Sequence, residues 1–342
     1  MGYQIPREAA DNLFKRLGEH YDIFAPKVFS GEGCFSDTDI IRYGTVRTLA
    51  EIEFEKKSDY SFKEVLLPVN ETCLYFTEET ASVPAGEEKK RLIFLRSCDL
   101  HALRRLDTIY LENGPEDFYY KRRRERSLFV LMGCPETCDT GFCVSMGTDK
   151  SDAYDLYLKV SNTFVWADCK SKELAPFFIG LLEECDTETT KSASCCQVEP
   201  EFPKFNKESV TLPTAFSDNI LSHPIWEAYG NRCIGCGRCN FACPTCTCFS
   251  MQDIHYRDNE KAGERRRVWA SCQVDGYTDI AGGNSFRKSQ GDRLRFKVLH
   301  KIRDFEKRFD YPMCVGCGRC EAVCPEYISY INIINTLAKE ES

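Results

Sequence analysis

The spacing of apolar residues predicts alternating helices and strands in the first half of the chain. Residues 6–21 place an apolar residue at every fourth position, which is the pattern of an amphipathic helix. Two short apolar runs at 91–95 and 128–132 have the length and composition of buried strands. Between these runs, Asp99 is placed to cap a helix that continues to Leu111. The order strand, helix, strand indicates a βαβ unit.

The sequence after this unit predicts the end of the first domain. Residues 154–160 and 163–167 read as the two strands of a hairpin, and a helix is expected from about 172 to 184. Polar, turn-rich sequence then extends from 186 to about 222, which is typical of a linker or a surface excursion. We therefore expect an α/β N-terminal domain over residues 1–222.

The remaining residues, 223–342, predict a mainly α-helical domain. Apolar residues recur at three- and four-residue spacing with Arg and Lys between them, and they predict a long amphipathic helix with a cap at Asn284: Leu294, Val298, Ile302, Phe305 and Phe309. About 70 residues separate two cysteine motifs in this half, too many for a compact βαββαβ ferredoxin. A mainly α-helical two-cluster ferredoxin domain fits this spacing.

These cysteine motifs carry the chemistry of the chain. Each has three cysteines two residues apart and then a fourth followed by proline: Cys233, Cys236, Cys239 and Cys243-Pro244, then Cys314, Cys317, Cys320 and Cys324-Pro325. This is the bacterial ferredoxin pattern, in which the fourth cysteine ligates the other cluster. We expect one [4Fe–4S] cluster on Cys233, Cys236, Cys239 and Cys324. A second is expected on Cys314, Cys317, Cys320 and Cys243.

Zinc and disulfide bonds are the alternatives for these eight cysteines. A Cys₄ zinc site uses two close pairs across a longer loop, unlike this even spacing. Disulfides need an oxidising compartment, and the N-terminus has no apolar signal core, so we expect a cytoplasmic protein. Arg238 and Arg319 occupy matching positions, where they either offset cluster charge or are solvated surface residues. Three further cysteines fit neither motif and read by default as buried structural residues: Cys246, Cys248 and Cys272.

A third cluster site is predicted in the N-terminal domain. Cys134, Cys138 and Cys143 follow the second apolar run, and Cys98 follows the first. If the two runs are neighbouring parallel strands, these thiols emerge at one sheet edge, where α/β folds place their sites. Their spacing is irregular, so free thiols lining a core and a zinc site stay open beside a third [4Fe–4S] cluster.

Composition excludes several kinds of partner and cofactor. The net charge of −8 argues against nucleic acid, and no apolar stretch is long enough to span a membrane. With 21 cysteines and five histidines, the chain is built for iron–sulfur ligation. It has no Gly-x-Gly-x-x-Gly, no P-loop and no Cys-x-x-Cys-His. Flavin, nicotinamide and haem are therefore expected on other chains.

Several motifs together resemble one family. In the second half of the chain they are residues 233–249, which include Cys-Pro-Thr-Cys-Thr-Cys, and residues 269–272, 281–287, 293–295 and 300–301. In the first half they are residues 96–102 and 143–147. The chain is similar over nearly its whole length to the A-subunit family of anaerobic sulfite reductases and to the related β subunits of cytosolic sulfhydrogenases. The resemblance implies an electron-transfer subunit of a cytoplasmic complex, with no catalytic residue of its own.

Within the resemblance two assignments are open. The sulfite reductase version relays electrons from an NADH-oxidising flavoprotein subunit to a sirohaem subunit that reduces sulfite to sulfide. The hydrogenase version links a flavoprotein to a nickel–iron catalytic pair. Asp107 and Tyr119-Tyr120 favour sulfite reductase. A self-sufficient enzyme and a zinc-stabilised scaffold are the remaining alternatives, and absorption spectra separate these two from an electron-transfer subunit of either kind.

Overall fold

A predominantly parallel sheet organises the N-terminal part of the molecule. The computed structural model describes residues 2–340, except 34, 36, 87, 135, 137, 182–197 and 214. Its strands are β1 Gly2–Pro6, β2 Tyr21–Phe29, β3 Ile40–Thr45, β4 Asn70–Phe76, β5 Ala81–Ser82, β6 Lys90–Leu95, β7 Ser127–Met132, β8 Leu156–Val160, β9 Phe164–Cys169, β10 Phe249–Tyr256, β11 Asn259–Trp269, β12 Asp279–Ile280 and β13 Asn284–Ser285. Seven of them form one sheet in the order β1-β9-β8-β7-β6-β2-β3. Its four central strands are parallel.

The helices pack on this sheet and around the cysteine motifs. They are α1 Arg7–His20, α2 Lys63–Leu66, α3 Ser97–Asp107, α4 Phe118–Arg124, α5 Ile225–Gly230, α6 Arg238–Phe241, α7 Gln290–Leu299, α8 Glu306–Phe309, α9 Arg319–Ala322 and α10 Tyr330–Glu340. Short 3₁₀ turns lie at Leu49–Glu51, Ala175–Phe178 and Asp218–Ser222, and π turns at Thr108–Glu112 and His300–Asp304. In the part of the chain that the structure describes, no helix is long and apolar enough to cross a membrane.

The predicted α/β character of the N-terminal part is confirmed. Helix α1 lies within one residue of the predicted span at each end, and β6, α3 and β7 form the predicted parallel βαβ unit. Strands β8 and β9 form the predicted antiparallel hairpin. The helix expected at 172–184 is only the 3₁₀ turn Ala175–Phe178, and its last three positions lie outside the described residues, as does much of the predicted linker.

Two local predictions are wrong. Asp99 does not cap α3: Arg96 is the N-cap residue, and the Asp99 side chain is buried inside the first turn. Asn284 does not cap the long C-terminal helix, because it lies in β13. That helix begins at Gln290, where Ser289 and Asp292 form a capping box.

The 4Fe–4S segment of the C-terminal part contains a long β-hairpin as well as helices. Strands β10 and β11 pair along their length, and β11 continues the sheet into β4 of the N-terminal part. Helical structure prevails only from α7 onward, so the description "mainly α-helical" fits the end of the chain and not the hairpin. The division at residue 222 remains a prediction, and the sheet β10-β11-β4-β5 runs across it.

Candidate iron–sulfur sites

The first motif lines a cavity that we call site A. Cys233, Cys236 and Cys239 surround one side of it, and Cys324 reaches it from the second motif. Gly235 and Gly237 have φ of 67° and 75°, a left-handed conformation that turns the loop tightly and that glycine adopts without strain. The amide of Ile328 lies 3.4 Å from the Cys324 sulfur and donates a hydrogen bond to it.

The second motif lines site B in the same way. Cys314, Cys317 and Cys320 share this cavity with Cys243 from the first motif. The Gly316 amide donates to the Cys314 sulfur at 3.4 Å. The loop cannot carry a side chain at Gly316, since a Cβ would lie 2.7 Å from the backbone nitrogen of Cys143. The structure thus brings together the two crossed sets of four thiols that the spacing predicts.

Sites A and B are neighbours with a common wall. Lys297, Cys320 and Tyr330 line both cavities. Lys297 and Lys301 are almost fully buried. Burial by itself lowers the pKa of Lys297, but the thiolates of Cys239 and Cys320 outweigh burial and hold that pKa well above its usual value. Two buried ammonium groups beside the thiols suit an anionic group between them.

Tyr330 is a second sign that these cavities are built for a polar group. Its ring is 4% exposed, and its hydroxyl finds no hydrogen-bond partner among the residues that the structure describes. Burial raises the pKa of Tyr330 well above its usual value, so the hydroxyl keeps its proton and stays a donor. A cluster sulfur is an acceptor that would satisfy it, so the residues present fit [4Fe–4S] clusters in both sites.

The four N-terminal thiols lie on two chain segments at the same edge of the parallel sheet, and we call this group site C. Cys98 lies in the first turn of α3, directly after β6, and the loop after β7 carries Cys134, Cys138 and Cys143. The Cys134 thiol donates to the Glu136 carbonyl at 3.7 Å and lies beside Cys138, where it lowers the pKa of the Cys138 thiol. Arg96 donates to the Cys134 sulfur at 3.2 Å. Burial raises the pKa of Cys98, and Cys317 and Cys143 lie close enough to add to this shift.

Site C packs directly against site B. The Phe142 amide donates to the Gly316 carbonyl at 2.7 Å. Thr140 and Thr148 donate their hydroxyls to the carbonyls of Gly318 and Val315 at 2.9 and 2.7 Å. The three groups of thiols therefore lie in the order C, B, A, an order that the sequence could not supply.

A buried ion pair holds the second motif to the N-terminal part. Arg319 donates to both carboxylate oxygens of Asp99, at 2.7 and 3.0 Å, and its Nε donates to the Ser58 carbonyl. Both members of the pair are 1% exposed or less. Arg319 is therefore not the solvated residue that the sequence allowed. Its counterpart Arg238 is exposed.

The row of sites reaches the surface at both ends. Beside site A, Cys236 is exposed, and Ile234 and Tyr327 are 62% and 82% exposed. Beside site C, Cys138 lies in an open cleft lined by charged side chains of both signs, among them Lys57, Lys207 and Asp139. Site B lies between them, and its four thiols are buried or half-buried.

The thiols of these sites are spaced more widely than the ligands of a single metal ion. Within the described residues, no three His, Cys, Asp or Glu side chains are close enough together to hold a single metal ion. Cavities lined by thiols from several directions suit a larger, multi-iron group.

Comparison with known proteins agrees with these sites. Residues 232–328 match the family model "4Fe-4S dicluster domain". The chain is 33% identical over 269 residues to "Sulfhydrogenase 2 subunit beta" of Pyrococcus furiosus, covering 73% of this chain and 74% of the relative. The chain belongs to the sulfhydrogenase β-subunit family. No solved structure matches it.

Membership in this family confirms part of the sequence interpretation. The chain is an iron–sulfur electron-transfer protein with two [4Fe–4S] clusters, and the sulfhydrogenase β-subunit part of the resemblance is correct. The sulfite reductase assignment, the individual ligands and the third cluster remain predictions. The residues that favoured sulfite reductase are structural in this fold: the Tyr120 hydroxyl and Arg124 both donate to Asp107.

Proposed function

We propose that this sulfhydrogenase β-subunit relative relays electrons between two other subunits of an oxidoreductase complex, a flavoprotein and a nickel–iron hydrogenase. The observation that carries the proposal is the row of thiol sites C, B and A, which lies between two exposed ends. A relay between two partners needs an accessible site at each end and closely packed sites between them.

We assign the ligands of this relay by site. Site A uses Cys233, Cys236, Cys239 and Cys324, and site B uses Cys314, Cys317, Cys320 and Cys243. Site C, with Cys98, Cys134, Cys138 and Cys143, holds a third [4Fe–4S] cluster. Each cluster, when bound, takes up and releases one electron at a time.

The residues around the sites prepare them for this task. The Gly316 and Ile328 amides and the Tyr330 hydroxyl offer protons to sulfur, which stabilises added negative charge and raises reduction potential. Lys297 and Lys301 act in the same direction through their charge. The buried Arg319–Asp99 pair holds site B against site C.

Sulfite reductase is the second candidate, because the cysteine motifs match that family as well. The two candidates differ only in the partner that the relay serves. We would purify the intact complex without oxygen and record EPR spectra of this chain's clusters under hydrogen gas and, separately, after adding sulfite to the dithionite-reduced complex. Reduction by hydrogen supports the hydrogenase assignment. Reoxidation by sulfite with no response to hydrogen replaces it with sulfite reductase.

A further inference from the structure

Two cysteines outside the three sites lie in contact with each other. Cys248 lies at the start of the hairpin, next to Phe249 of β10, and the Ala270 amide just after β11 donates to the Cys248 carbonyl at 3.0 Å. Cys272, two residues further on, lies beside Cys248. Both are free thiols. Cys272 is 5% exposed, whereas Cys248 is partly exposed to solvent. The hairpin thus brings the two chain segments together, and the turn after β11 places Cys272 beside Cys248.

The surroundings of the pair favour a thiolate at Cys272. Cys248 hydrogen bonds to Cys272, and the side-chain amides of Asn240 and Gln273 donate to the Cys272 sulfur at 3.1 and 3.7 Å. These donors, with Lys297 nearby, lower the pKa of Cys272, while the shared proton raises the pKa of Cys248. A structural cysteine in a core does not need three donors.

The pair also lies beside site A. Asn240 follows Cys239 directly in the chain, and Gln273 lines the cavity of site A as well as donating to Cys272. On the other side, the Tyr277 hydroxyl donates to the carbonyl of Phe249, the neighbour of Cys248, at 3.4 Å, next to an exposed segment, residues 274–276. The thiols therefore face a redox site inward and solvent outward.

We propose that Cys248 and Cys272 are a redox-active dithiol that reacts with low-molecular-weight disulfides and stores two electrons beside site A. The proposal rests on the proposed function for its source of electrons. Cys248, the accessible thiol, attacks the external disulfide as its proton passes to the Cys272 sulfur, and one thiolate leaves. Cys272 then loses that proton and attacks the mixed disulfide, which releases the second thiol and closes the Cys248–Cys272 bond.

The return step balances with two electrons and two protons. The Cys248–Cys272 disulfide accepts two electrons, delivered singly, and two protons, and the sulfur–sulfur bond breaks to restore both thiols. The sum of both steps is the reduction of one external disulfide to two thiols. The dithiol thereby lets clusters that carry one electron each reduce a substrate that accepts two.

The test uses the full-length chain, purified without oxygen, with its iron content known. We would treat it with oxidised glutathione, quench in acid, alkylate the free thiols and digest with trypsin. Cleavage after Arg257 and Arg267 separates the two cysteines, so a Cys248–Cys272 bond survives as one linked peptide in the mass spectrum. We expect this peptide, and we expect it to disappear after dithionite reduction.

Single variants make the result decisive. Cys272→Ser should keep its iron and trap glutathione as a mixed disulfide on Cys248. Cys248→Ser should give neither this adduct nor the linked peptide. Cys169→Ser, at a buried cysteine far from the pair, should behave as wild type. Absence of the linked peptide in iron-replete protein overturns the proposal, as does loss of iron in either variant, which would make that cysteine a cluster ligand. Wild-type protein without iron or an EPR signal would instead contradict the proposed relay, so the two failures are distinct.

Discussion

Arg319 and Asp99 lie 220 positions apart in the sequence and meet as a buried ion pair between sites B and C. Nothing in the local pattern around Asp99 reveals this partner, which is why the sequence interpretation made Asp99 a helix cap. The eight ferredoxin cysteines, in contrast, were predictable, because each motif's spacing is itself the geometry of the loop. Long-range pairing of single charges depends on the finished fold.

Arg319→Ala should therefore destabilise the chain strongly. The change leaves the Asp99 carboxylate buried without its cation, and breaking such a pair costs about 3–5 kcal/mol. The matched control is Arg238→Ala, at the equivalent but exposed position of the first motif, where no buried carboxylate is left behind and we expect a much smaller loss of stability. Denaturant unfolding of both variants measures the difference. Equal losses of unfolding free energy in the two variants would show that the buried Arg319–Asp99 pair contributes nothing to stability.

Tyr330→Phe should shift a reduction potential without unfolding the chain. Tyr330 lines both site A and site B. Removing its hydroxyl removes a hydrogen-bond donor that would stabilise the negative charge of a reduced cluster. We expect a midpoint potential lower by on the order of 60 mV, which corresponds to about 1.4 kcal/mol for one electron. Redox titration followed by EPR measures it, with Tyr311→Phe, whose hydroxyl contacts Thr108, as the control. Unchanged potentials in Tyr330→Phe would place its hydroxyl away from the clusters.

His300 predicts a pH dependence of stability. Burial, reinforced by the Lys301 charge, lowers the pKa of His300 to about 4. The unfolded chain protonates this ring near pH 6.5, so between pH 6.5 and 4 the unfolded state binds more protons and stability falls as the pH falls. As the pH falls from 7 to 5, we expect the free energy of unfolding to decrease by about 1–2 kcal/mol less in His300→Gln than in wild type. The exposed His255→Gln should follow wild type, and identical pH profiles for all three proteins would refute the assignment.

At the level of elements, the cluster-binding loops are shaped by glycines with positive φ, followed at once by one-turn helices. Gly235, Gly237, Gly316 and Gly318 all precede or interrupt such a turn. A Gly on each side of the second cysteine, visible in the sequence, leaves room for the amides to approach sulfur. It did not predict that the second loop is pressed against the Phe142–Cys143 backbone, because that contact joins two distant segments.

Gly316→Ala should damage site B selectively. Its φ is 62°, and an added Cβ would meet backbone atoms at 2.7 Å, so the loop must move away from site C. Gly283→Ala is the control for backbone strain alone, because Gly283 has φ of 73° and nothing within 4 Å of its Cβ position. We expect loss of about four irons per chain in Gly316→Ala and none in Gly283→Ala. Iron analysis of the two purified variants tests this expectation. Full iron content in Gly316→Ala would mean that the loop tolerates the displacement.

On the scale of the whole molecule, the two halves form one continuous structure around the sites. Strand β11 pairs with β4, and Val315 and Cys317 pack into the core that β6 and β7 share with α3. The α/β class of the N-terminal part could be predicted from the sequence, because the periodicity of apolar residues and the length of each strand are local properties. The hairpin β10–β11 was not recognised, because its strands are polar and largely exposed and so lack the alternation that marks a strand.

The relay from site C through site B to site A is most directly tested by iron and acid-labile sulfide analysis of anaerobically purified wild type and Cys138→Ser, with EPR after dithionite reduction. We predict about twelve irons per chain in wild type and about eight in Cys138→Ser, with the signals of two clusters kept. About eight irons in both proteins would confine the clusters to sites A and B and contradict the three-site relay.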